Sequence, residues 1–173
     1  MDLVTLAPQE VLALEGDELL ELCRDAAVLG NRLDAVQTAL AGRVAALCDV
    51  EEEGVSLAHE RGCRNAIELL QRVTGGSATL RARLDLASVS QGRVVKGTLQ
   101  PAGQDHLGAA MQSGLLNPES ALSIARTLEK CADAPEGQWE EAQRSLVQAA
   151  TGSDLGVRPA QQVPLHADEV RAL

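Results

Sequence analysis

Apolar residues recur at alternating intervals of three and four from Leu19 onward: Leu19, Leu22, Ala26, Leu29, Leu33, Val36 and Leu40, then Leu47 and Val50, with Arg43 interrupting the series. This is the a/d pattern of a coiled coil or a long bundle helix. It predicts one helix over 17–50, capped by Asp17 and about 50 Å long at ~1.5 Å per residue. Gly30 and Gly42 each weaken that helix by roughly 1 kcal/mol relative to Ala, and Gly30-Asn31 is where a kink would fall. Glu51, Glu52 and Glu53 are unfavourable at the negative end of a helix dipole, and Gly54 follows as a stop. Ahead of the long helix, 8–14 reads as one amphipathic turn or short helix closed by Gly16.

Downstream the periodic segments are shorter. A loop or short helix reaches Gly62, and a helix over 63–74 follows with Ala66, Ile67, Leu69, Leu70 and Val73 as its stripe. Gly75-Gly76 breaks it, and Ser77 caps a helix over 78–89 whose apolar side is Leu80, Leu84 and Ala87. The stretch 91–103, with Gly92, Gly97, Pro101 and Gly103, reads as a flexible connection. A helix over 105–113, a turn at Gly114, Leu115 and Leu116, the N-cap Asn117 and Pro118 at the first helical position then announce a second hairpin. Its second helix carries Ala121, Leu122, Ile124, Ala125 and Leu128, and a last helix over 137–150 turns Trp139, Ala142, Leu146 and Ala149 inward. From Thr151 Gly, Pro and Gln dominate until 166–173, which reads as the start of a further helix in a chain cut from something longer. The expected architecture is an all-α helical bundle of five to seven helices, a long N-terminal helix packed against helix–turn–helix hairpins. Residues 1–150 form the helical domain, and 151–173 a linker and the start of the next helix. The two hairpins align loosely at an offset of 40, with Ala82 meeting Leu122 and Leu84 meeting Ile124, but Leu80 meeting Ser120.

Composition sharpens this picture. The chain has no Phe, no Tyr and one Trp, so the core is Leu, Val, Ile and Ala packed between helices, with few of the residues that favour strands. Thirteen Arg against two Lys, with abundant Ala and Gly, point to GC-rich, bacterial coding. The net charge of −10 argues against sequence-blind nucleic-acid binding by the whole surface. Its distribution is uneven, however: residues 1–60 net −10, 61–96 net +5 and 97–173 net −5. Cys23, Cys48, Cys63 and Cys131 form no CxxC pair and suit reduced, mostly buried thiols of a cytoplasmic protein. There is no basic, apolar leader and no stretch near the ~20 apolar residues of a membrane span.

Candidate chemistry is sparse. The hairpin at Gly114 has the outline of a DNA-reading helix–turn–helix, but its second helix would point Ser120 and Ser123 inward and offer Glu119 and no Arg to a major groove. A structural hairpin is the better reading. The basic segment is a stronger candidate for anion contact through Arg64, Arg72, Arg81, Arg83, Arg93 and Lys96. Against it stands the plainer reading that these side chains pair with the acids of 17–60 and hold the long helix onto the first hairpin. No aromatic residue is interleaved to stack on single-stranded bases. His59, His106 and His166 lack metal-ligand spacing, and the Glu51, Glu52, Glu53 run reads as a solvated helix end. No phosphate loop, nucleophile elbow or Cys–His pair is present, so we expect no catalytic residue, no cofactor, no metal and no small-molecule substrate.

The long Leu/Ala helix, the unit over 62–87 and the run Gly114-Leu115-Leu116-Asn117-Pro118-Glu119-Ser120-Ala121 together resemble one bacterial family, the 13E12 repeat family (domain of unknown function 222). Thr74-Gly75-Gly76-Ser77 resembles that family's earlier threonine-glycine turn, with Gly76 where a leucine is usual, and the resemblance spans about 17–150. It implies an association with DNA-processing or mobile-element proteins, since members often carry an HNH nuclease domain C-terminal to this region. Nothing after Thr151 here supplies the His cluster of such a nuclease. The expected function is thus a non-catalytic accessory domain of a DNA-acting protein. It would dimerise through Leu19, Leu22, Leu29, Leu33, Val36 and Leu40 and add weak phosphate contacts, because the outer half of so long an apolar stripe needs a partner. The alternative is a protein-interaction or scaffold module with no nucleic-acid role.

Overall fold

The long helix forms without a break. A computed structural model describes residues 8–49, 56–76, 79–91, 93–95, 98–100, 103–131 and 133–152. After α1 (Pro8–Val11), helix α2 runs over Gly16–Cys48, a single element of 33 residues and ~50 Å. The two glycines expected to weaken it differ in kind. Gly30 has nothing within 4 Å of where a side chain would begin, whereas a Cβ on Gly42 would lie 2.8 Å from that of Ala87. Gly42 is therefore a point of close approach between α2 and its neighbour, and its cost in helix propensity is offset by that packing. The Glu51, Glu52, Glu53 run, Val50 and Gly54 lie outside the described residues.

Three of the following helices start at a side-chain cap. In α3 (Leu57–Glu60) Ser56 Oγ accepts the His59 amide at 3.3 Å. In α4 (Ala66–Thr74) Asn65 Oδ1 accepts the Glu68 amide at 2.9 Å, so this helix begins three residues later than the expected 63–74. Helix α5 (Leu80–Ser90) follows Thr79; Ser77 and Ala78, expected to cap and open it, lie outside the described residues. Helix α6 (Asp105–Ser113) ends at Gly114 with φ 79°, and the Leu115 amide reaches back to the Ala110 carbonyl at 3.2 Å, the six-to-one bond of a Schellman turn. Helix α7 (Pro118–Glu129) starts as the sequence predicts, with Asn117 Oδ1 accepting the Ser120 amide at 2.8 Å. Helix α8 (Glu136–Thr151) closes the described chain, and the further helix expected over 166–173 lies beyond it.

One expectation is corrected. The connection over 91–103 contains a small antiparallel hairpin, β1 (Arg93–Val95) paired with β2 (Thr98–Gln100) in the register Arg93↔Gln100, Val94↔Leu99 and Val95↔Thr98. Val94, Val95 and Thr98 are β-branched residues that favour extended backbone, a signal hidden by the surrounding Gly and Pro. The architecture is otherwise the all-α bundle expected, but with eight helices among the described residues rather than five to seven, two of them, α1 and α3, being only four residues long.

With no Phe or Tyr to span gaps, the core of the described residues divides into three clusters. The largest joins Ala35, Leu86, Leu107, Met111, Leu116, Ile124 and Leu128, with Trp139 and Leu146 packed against it. A second gathers Leu70 and Leu80 on Ala41, and a third gathers Ala58, Cys63 and Leu69 beside Val44 and Cys48. Each fully buried Leu or Ile contributes roughly 1.5–3 kcal/mol. All three clusters touch α2, so the long helix is the spine that links them. At its centre Thr38, 0% exposed, is accommodated because its hydroxyl bonds back to the Asp34 carbonyl at 2.8 Å. Gln143, also buried, caps α6 from α8 by accepting the His106 amide at 2.8 Å.

Candidate functional site

Helix α2 has two unlike faces. At ~100° per residue, Asn31, Ala35, Thr38, Ala41, Gly42 and Ala45 share one side. Ala35, Thr38 and Ala41 on that side are buried against the bundle. Small residues there let the hairpins approach the helix axis. Leu29, Leu33, Val36, Leu40 and Leu47 lie roughly opposite, and they are exposed at 48%, 57%, 55%, 61% and 39%. The apolar a/d series that announced the helix is therefore not the series that folds it. Of the six residues predicted to form a dimer interface, Leu29, Leu33, Val36 and Leu40 are exposed, and Leu19 and Leu22 are half-buried.

Polar contacts fix how this spine sits. Arg83 of α5 pairs with Asp34 at 2.6 Å, both side chains partly shielded. The amide of Asn31 donates to the Gly114 carbonyl at 2.9 Å, and Arg32 Nε donates to the Ser113 carbonyl at 3.2 Å. The second hairpin's turn is thus bound to α2 by two consecutive residues. The sequence marks Asn31 only as part of the Gly30-Asn31 kink position and gives Arg32 no role, because neither interrupts the apolar series.

Of the six candidate phosphate contacts, the four whose side chains are described sit in different settings. Arg83 is the clamp to Asp34, the role the plainer reading assigned to the whole group. Arg64 pairs with Glu68 of its own helix at 3.8 Å while its side chain stays 92% exposed. Arg72 donates to the Arg61 carbonyl at 3.0 Å. Arg81 is exposed on α5. Arg93 is placed on β1, where only the backbone is described, and Lys96 lies outside the described residues. What the fold does bring together is Arg43, His59 and Arg64, which line an open groove of about 930 Å3 between α2, the start of α4 and α5. Arg43 was visible in the sequence only as the break in the apolar stripe.

Helix α7 turns most of its length inward. Ser120, Ala121, Ser123, Ile124, Ala125 and Leu128 are all buried, which leaves Glu119, Arg126, Glu129 and Lys130 facing solvent. It is the central helix of the main cluster, and its inward serines are the positions the sequence flagged. The Ser120 hydroxyl finds no hydrogen-bond partner among the described residues.

The four thiols are free, but the expectation of mostly buried cysteines is corrected: only Cys63 is buried, while Cys23 and Cys131 are exposed. Cys23 lies on the solvated N-terminal part of α2, and Cys131 just beyond α7. Among the described residues no three His, Cys, Asp or Glu side chains gather as a metal site would need, and no helix is long and apolar enough to cross a membrane. No family model, curated protein or solved structure matches this chain.

Proposed function

We propose that this chain is a non-catalytic helical assembly domain that forms a homodimer through the outer face of α2. One observation carries the reading: the most regular apolar stripe in the sequence is on the side of the helix that the bundle leaves exposed. A helix that served only its own fold would concentrate its large apolar residues inward. Here the inward residues are Ala, Gly and Thr, and the leucines face out.

The dimer should be seen by light scattering at micromolar concentration. Leu33→Asp is expected to convert it to monomer, with the thermal midpoint of the monomer unchanged within a degree or two, since Leu33 is 57% exposed. A wild-type chain that is already monomeric would sink the proposal. So would a monomer whose melting drops sharply in Leu33→Asp, because that would show the face to be covered by the chain's own residues.

The second reading is that the domain accompanies a DNA-acting protein and touches phosphate. It is supported by the exposed Arg64, Arg72 and Arg81, and by the motif resemblance quoted above. With Arg83 held by Asp34, about three phosphate contacts remain, for a log–log salt slope near −2.7 on duplex DNA. Absence of binding at ~50 mM salt in a fluorescence-anisotropy titration removes this reading and leaves assembly alone.

A further inference from the structure

We infer that the two copies meet with their α2 helices antiparallel, in the register that sets Leu22 against Leu33 of the partner subunit. This deepens the dimer reading above and rests on it. In the heptad pattern Leu19, Ala26, Leu33 and Leu40 take a positions, Leu22, Leu29 and Val36 take d positions, and Glu18, Asp25 and Arg32 flank the seam at g.

Charge decides the direction. The exposed N-terminal part of α2 holds Asp17, Glu18, Glu21 and Asp25 against one Arg24. Its later part holds Arg32 and Arg43, and its acid Asp34 is already paired with Arg83. A parallel seam would bring both acidic ends side by side, with like charges facing across it. An antiparallel seam sets acid against base and also opposes the two helix dipoles.

Charge and packing together decide the register. In antiparallel pairs an a residue layers against a d residue, and g residues flank one another. With Leu22 on Leu33 of the partner subunit, Leu19 meets Val36 of the partner subunit and Ala26 meets Leu29 of the partner subunit, each layer occurring twice by symmetry. Asp25 then flanks Arg32 of the partner subunit on both sides. Arg32 spends only its Nε on Ser113, leaving its terminal amino groups for the carboxylate. A shift of one heptad would place Arg32 against Arg32 of the partner subunit and press Arg43 onto Leu19 of the partner subunit. Because the stripe is opposite the packed face, the two bundles end up on far sides of the seam, clear of each other.

Paired cysteines test this in a chain with Cys23→Ser and Cys131→Ser, which removes both exposed thiols. Leu22→Cys with Leu33→Cys should give a covalent dimer under mild oxidation, and neither single variant should. Within one chain the two sites are about 16 Å apart along the helix, too far to bridge. Covalent dimers from Leu22→Cys alone would show a parallel seam and overturn the orientation while leaving dimerisation intact. A chain that is monomeric by light scattering overturns both. Asp25→Arg gives a second readout of opposite sign: it should weaken an antiparallel dimer about tenfold at low salt, whereas a parallel one would tighten.

Discussion

Gly114→Ala is expected to lower the stability of the fold by about 3 kcal/mol, seen as a drop of roughly 10 °C in the thermal midpoint by circular dichroism. Two costs add. The backbone at Gly114 has φ 79°, where an L side chain costs roughly 1–2 kcal/mol. A Cβ there would also lie 2.6 Å from the Val28 carbonyl oxygen and 2.9 Å from Arg32 Cγ. The carbonyl belongs to a continuous helix and cannot give, so the turn must draw back from α2. Retreat stretches the bonds from Asn31 and Arg32, at about 0.5–1.5 kcal/mol each. Gly75→Ala separates the two terms, because Gly75 has φ 81° but nothing within 4 Å of its Cβ position. It should lose only the backbone part, roughly 1 kcal/mol. Equal losses in the two variants would mean that the turn does not press on α2.

Local start and stop signals were the most legible part of the sequence. Asn117-Pro118 opens α7 where it was expected, and α6 runs over the predicted residues, because caps are short-range devices whose partners lie within a few positions. Direction was less legible. Periodicity shows that a helix has an apolar side but not which side faces its own chain, and α2 is the case where that distinction matters. The inward stripe of Ala35, Thr38 and Ala41 reads in sequence as weak hydrophobicity beside a row of leucines that dominates the pattern. Val73 shows the same limit at smaller scale, counted in the α4 stripe yet 75% exposed, while Leu86, left out of the α5 stripe, is 1% exposed. For the candidate site, long-range pairing was the hidden part. The reading that Arg83 would clamp the long helix needed only its charge, but the identity of its partner, Asp34, is set by a fold that brings together residues 49 positions apart. The β1–β2 pairing was missed because three-residue strands give too short a pattern to distinguish from a loop.

The two-faced reading of α2 makes its sharpest prediction at adjacent residues. Ala41→Leu should destabilise the fold by about 3 kcal/mol, and Leu40→Ala should change the stability of the monomer by no more than ~0.5 kcal/mol. Ala41 is 2% exposed and sits against Leu70 and Leu80, so three added carbons must push α4 and α5 away from the spine. The expansion would also be felt at Gly42, where α5 already leaves no room for a Cβ. Leu40 is 61% exposed, and its truncation leaves no cavity behind. Intrinsic helix propensity cannot produce the contrast, since Ala and Leu differ by only a few tenths of a kcal/mol. Both variants should be unfolded in urea at protein concentrations low enough to keep the chain monomeric, because dimerisation adds stability by mass action and would otherwise mask the comparison. At higher concentration the order of sensitivity changes in a defined way. Wild type gains stability as the dimer fills, and Ala41→Leu gains in parallel from its lower baseline, because its outer face is intact. A large loss in Leu40→Ala at low concentration would mean that the leucine stripe is part of the chain's own core, and the assignment of that face to a second copy would fall with it.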